Sequence, residues 1–178
     1  MKKRGNWNKS GQVWLETVIY TLIAFTLIGL GLGYAKPKIE EMQDRAIIEQ
    51  SVEILKGIKS TISSIGTAGN QRIVEILINK GILKIDGKNN KIIMKIESRA
   101  GYSEAGQTIE VEGMEILTEK LGDLNLVTLT TNYGENYNIT YENQDIIKLL
   151  NQAKTSYKLS IENRGFKDNK TLIELKVI

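Results

Sequence analysis

From Thr17 to Ala35 the chain runs for 19 residues without a charged side chain, "TVIYTLIAFTLIGLGLGYA". A helix needs about 20 such residues to cross the ~30 Å hydrocarbon layer. This run sets the rest of the reading, because it demands either a bilayer or an equally apolar protein environment. One carboxylate, Glu16, stands at its front edge. A charged side chain within a membrane helix costs roughly 2.5–3.5 kcal/mol on insertion scales, so its position calls for a partner. An acid this near a helix end can also snorkel to water.

Charge is distributed around that run in a telling way. Lys2, Lys3, Arg4 and Lys9 put four positive charges ahead of it, with no acid among the first eleven residues. The remaining chain is nearly balanced, with 20 basic and 21 acidic residues. A basic head before an apolar run matches cytoplasmic positive-inside charge. The balanced body offers no basic footprint for nucleic acid. There is no Cys and no His, which removes disulfides, thiolate and imidazole metal sites and His-based triads. The expectation is therefore no enzyme, no cofactor and no metal.

At Lys36 the composition changes to "KPKIEEMQDRAIIEQSVEILKGIKSTISSI". Ile48, Val52, Leu55, Ile58, Ile62 and Ile65 recur at steps of three and four, the signature of one apolar helix face. Lys and Glu along residues 36–60 read as a solvated or intersubunit face. Pro37, which lacks an amide hydrogen, is expected to kink the helix without ending it. The helical pattern stops at "GTAGN", residues 66–70, which supplies a C-cap and loop. A bent helix over residues 12–65 would be about 80 Å long at 1.5 Å per residue. It would have to leave the membrane and act as a spine.

Beyond the loop the chain reads as strands: "QRIVEILI", "GILKID", "KIIMKIES", "NLVTLTTN", "NYNITYE", "SYKLSIEN" and "TLIELKVI". They are short and β-branched, with much two-residue alternation and turn-rich punctuation such as "DGKNN" and "RGFKDN". Residues 142–153, "ENQDIIKLLNQA", read as a short helix. "IDGKNNK" lacks the acidic ligands of a calcium loop and reads as a hairpin turn. Tyr133, Tyr137 and Tyr141 are expected on a sheet face. The fold class is α+β: a long kinked N-terminal helix and a C-terminal antiparallel β-sandwich-like head. The expected divisions are 1–11, 12–35, 36–65 and 66–178.

Gly11, Gln12 and Glu16 carry a more specific signal. A secretory signal has a 7–15-residue apolar core with a small-residue cleavage site after it. Here the core is longer and an acid interrupts its first turn, although Gly33 and Ala35 could imitate such a site. At these residues the chain resembles the archaeal type IV pilin-like proteins, whose leaders are class III signal peptides. Their pattern is Gln-x-Ser-x-Glu-x-x-x-Leu, cut before the Gln. Gly11 and Gln12 match the junction and Glu16 the fifth mature position, while Trp14 stands in place of Ser and Tyr20 in place of Leu. The resemblance implies residues 1–11 as leader and a filament subunit assembled through its helix. It also implies adhesion, surface attachment or motility as the role. The implied partners are other copies of the chain or related pilins, a prepilin peptidase, a membrane platform protein and an assembly ATPase. The precursor would lie in the plasma membrane with its N-terminus cytoplasmic and its head outside. The mature chain would lie in a cell-surface filament.

Physical chemistry supports a role for Glu16 without that resemblance. Cleavage before Gln12 would free an α-amino group of pKa near 8, largely cationic at neutral pH. A buried cation and anion cost far less together than apart. The amine of a neighbouring subunit can reach Glu16 where that of the same helix cannot, which would fix subunit register. Gly29 and Gly33 form a small-xxx-small pair that permits close helix approach, or are simply tolerated in a membrane helix. Asn138 and Asn169 head Asn-x-Thr sequons and would be glycan acceptors on an external head. The competing reading is an uncleaved, single-span membrane-anchored protein whose external head binds a ligand.

Overall fold

A computed structural model describes residues 9–178, with side chains from residue 13 onward. One helix, α1, covers Lys9–Ser63 and runs through Pro37 without interruption. The proline ring removes one backbone hydrogen bond, but 54 helical neighbours hold the backbone on either side. The chain divides into two compact units between Glu40 and Glu41, so the helix contributes to both.

In the first unit the helix is apolar around its whole circumference, and every residue from 13 to 34 is exposed. In the second unit the pattern becomes one-sided. Ile48, Val52, Leu55, Ile58, Ile62 and Ile65 are each no more than 7% exposed, as their spacing predicts. They join the inward-facing residues of two sheets in a single hydrophobic core.

The first sheet has the order β1-β9-β10-β7, from Gln71–Ile76, Tyr157–Lys167, Lys170–Val177 and Tyr137–Tyr141. The second has the order β4-β5-β6-β3-β2-β8. Its strands are Thr108–Val111, Met114–Leu121, Leu124–Asn132, Lys91–Ser98, Ile82–Asp86 and Ile147–Asn151. Alternation does the work in β3, where Ile92, Met94 and Ile96 are buried between exposed or half-exposed neighbours. The class is α+β, with a long helix followed by two sheets.

Two expectations need correction, and one segment left without an element acquires one. Residues 142–153 are not a short helix: Ile147–Asn151 form β8, paired antiparallel with β2. Segment 108–121, assigned to no element from the sequence, forms the β4–β5 hairpin around Glu112 and Gly113, both at positive φ. The head is also not wholly antiparallel, since β10 pairs parallel with β7 while every other pairing is antiparallel. A parallel neighbour needs a long crossover, supplied here by the chain from β7 through β8 and β9.

Polar side chains complete the core of the second unit. Asn163 Nδ2 donates to Gly66 O at 2.6 Å, and Asn70 Nδ2 to Ile65 O at 3.0 Å, so carbonyls of the loop that leaves α1 find partners. Asp44, on the helix, accepts from Lys80 Nζ at 2.6 Å and from the Arg99 amide at 2.7 Å. Asp44 is only 7% exposed, a buried acid within a segment whose Lys and Glu are expected on a solvated or intersubunit face.

Candidate functional site

The N-terminal half of α1 is where chemistry and exposure disagree most. Val13, Trp14, Leu22, Phe25, Leu27, Leu30, Leu32 and Tyr34 are all more than 60% exposed. In water such a surface would drive association, because soluble monomers rarely leave contiguous apolar patches of this extent uncovered. By length and composition the helix is sufficient to cross a membrane.

Its polar side chains are handled as a low-dielectric environment requires. Thr17, Thr21 and Thr26 each donate to the carbonyl four residues back, at 2.9, 2.8 and 2.8 Å. These hydroxyls are satisfied within the helix and present only methyl groups outward. Glu16 cannot be internalised that way. Its Oε1 accepts a hydrogen bond from Tyr20 Oη at 3.3 Å, one turn along, while Oε2 has no partner among the described residues.

Gly29 and Gly33 share a face, and a Cβ built on either meets no atom within 4 Å. Nothing within this chain requires glycine there, so the open face is available to another helix. Pro37 follows within the same helix. Of residues 1–11, expected as a leader, residues 1–8 lie outside the described residues. Gly11 and Gln12 fall within the helical backbone, and their side chains lie outside the description.

The two sequons differ. Asn169 is exposed at the tip of the β9–β10 hairpin, with φ +62°. Asn138 is half-buried in β7, and its Nδ2 donates to Lys167 O at 3.3 Å. Its sequon partner Thr140 is 7% exposed and donates to Ile173 O.

The head carries charged groups that are spent on the fold. Burial pushes the Asp86 carboxyl upward, but Lys84 and the side-chain and backbone donors of Asn89 more than offset it, leaving its pKa below the ordinary value. Lys84 Nζ lies 2.8 Å from Asp86 Oδ2, and Asn89 closes the β2–β3 turn onto Oδ1. This is the hairpin read from "IDGKNNK". Arg164 bridges Glu162 at 3.0 Å and the buried Glu174. Tyr133 and Tyr141 are buried inward, and Tyr133 meets Tyr137 edge-on at 6.3 Å. A 410 Å³ cleft beside this pair is lined by Lys59, Glu110, Asn132 and Glu135. Among the described residues no three His, Cys, Asp or Glu side chains converge as a metal would need.

Comparison with protein-family models, curated proteins and solved structures gives no match in any of the three. The architecture itself is pilin-like: a long apolar N-terminal helix of membrane-crossing length followed by a β-sheet head. Sequence reasoning singled out Glu16 but missed its Tyr20 partner, although an i, i+4 spacing already places the two on one helix face. It also missed the Asp44–Lys80–Arg99 contact, which no local pattern announces.

Proposed function

We infer that this chain is a structural subunit of a type IV pilus-like surface filament of archaeal type. It is processed between Gly11 and Gln12 and assembled through the helix that follows. The observation that carries the reading is a helix exposed and apolar on every side from residue 13 to 34, with Glu16 as its sole charge. A bilayer can cover that surface in the precursor, and other copies of the same helix can cover it in a filament. Gly29 and Gly33 supply the close-approach face.

Residues 13–35 rise about 34 Å along a helix, slightly more than a ~30 Å hydrocarbon core. Glu16 then sits roughly 5 Å inside the front edge of that stretch. At this depth it is partly desolvated, and an incoming α-ammonium relieves the charge more effectively than water can. Polymerisation is thereby coupled to removal of a membrane penalty. Processing by a prepilin peptidase, and extrusion by a platform protein and an ATPase, are the partners this reading requires. Adhesion, surface attachment or motility is the role it assigns, with the head outermost.

The test is the N-terminus of the mature protein in the cells that make it. Mass spectrometry should find Gln12 as the first residue; an intact Met1 would overturn the reading in favour of a single-span anchored binding protein. Glu16→Ala should leave processing and insertion unchanged and abolish incorporation into filaments.

A further inference from the structure

Tyr20 occupies a position where an apolar residue would suffice for a membrane helix, and it places a phenol one turn beyond the single acid of the span. Its Oη donates to Glu16 Oε1 at 3.3 Å, longer than the usual 2.7–2.8 Å for such a bond. The geometry describes a contact that holds the carboxylate without saturating it. Oε2 is left open among the described residues, and the Thr17 hydroxyl, the nearest alternative donor along the chain, is committed to Val13 O. A carboxylate in a low-dielectric layer is costly chiefly when it has no donor at all. Tyr20 supplies one from the same helix, at a spacing that needs no rearrangement.

We propose that Tyr20 is a positioning residue for Glu16: its phenol holds Oε1 along the helix face and leaves Oε2 for the α-ammonium of the next subunit. This rests on the filament reading for what arrives at Oε2, but the Tyr20–Glu16 contact belongs to the single chain and is tested without filaments. During assembly the phenol keeps its proton and its bond, and the new ion pair forms at the other oxygen. Tyr20 therefore acts twice, first as the donor that makes the precursor tolerable in the bilayer, then as the fixed side of a two-partner carboxylate.

The experiment uses the full chain reconstituted into phosphatidylglycerol vesicles and difference infrared spectroscopy. The Glu16 carboxyl band is assigned by its loss in Glu16→Gln. Tyr20→Phe keeps the ring and removes the hydroxyl, and should shift that band; Tyr20→Leu should shift it the same way. The phenol C–O band of Tyr20 should shift reciprocally in Glu16→Gln. A Glu16 band unmoved by both Tyr20 variants overturns the proposal, even if Glu16→Ala abolishes filaments. Shifted bands together with normal filaments from Glu16→Ala would leave the Tyr20–Glu16 contact standing and sink the filament reading instead.

Discussion

Asp44 offers the sharpest test of how the second half of α1 is fastened to the sheets. Its side chain is 10% exposed, and its carboxylate takes two donors from different places, Lys80 ahead of β2 and the Arg99 amide after β3. Asp44→Ala deletes both contacts and removes the acceptor of the Arg99 amide. Hydrogen bonds to a charged group contribute about 1.5–3 kcal/mol each. The Lys80 side chain is 35% exposed, so solvent screens its share to about 1 kcal/mol or less. The backbone contact carries the remainder, giving an expected total loss of about 2–3 kcal/mol. Asp44→Asn retains an oxygen for the Arg99 amide and loses only the ion pair, so it should cost about 1 kcal/mol. The assay is urea unfolding of the full chain in detergent micelles, followed by the near-ultraviolet circular dichroism of the buried tyrosines. Equal costs for the Asn and Ala variants would refute the assignment of most of the effect to the backbone contact. An Asp44→Ala variant within about 0.5 kcal/mol of the parent would refute the anchor altogether.

Other expectations follow from the head. Asp86 has a folded-state pKa below its ordinary 3.8, so its stabilisation is complete well above that pH and is lost as pH falls through the lower folded value. Asp86→Asn should therefore flatten the acid limb of the stability–pH profile below about pH 4, and an unchanged slope would contradict this. Gly81 has φ +89°, and a Cβ there would overlap the Lys95 carbonyl, whereas Gly122 has φ +62° with open space. Gly81→Ala should cost about 3 kcal/mol and Gly122→Ala about 1 kcal/mol in thermal unfolding; the reverse order would be decisive against it. For the sequons, we expect Asn169 and not Asn138 to carry glycan in protein from the producing cells. The exposed hairpin tip admits a transferring enzyme, and the buried Thr140 does not. Peptide mass spectrometry finding sugar on Asn138 alone would show that accessibility in the folded head is not what selects the site.

Much of this molecule is written locally. The charge-free run to Ala35 fixes a helix that must be covered by something other than water, because no part of its circumference is polar. The steps from Ile48 to Ile65 fix which face of the continuation is buried, since 3.6 residues per turn leaves no other way to align them. Strand β3 could be read to the residue from its alternation. Glu16 likewise stood out because a lone acid in an apolar run is costly wherever the chain goes.

Tertiary structure decided what depends on partners distant in the chain. In residues 142–153 the pairs Ile146–Ile147 and Leu149–Leu150 are three apart, a spacing that a helix and an edge strand both accommodate. The free edge of β2 settles it, because pairing satisfies backbone groups that a short isolated helix would leave to water. The parallel β7–β10 pairing is invisible locally for the same reason, since strand direction is a relation between segments. Burial of Asp44 required both Lys80 and Arg99 to arrive from the sheets, 36 and 55 residues away. Periodicity reports which face a residue is on; which donors meet it there is set only once the whole chain has packed.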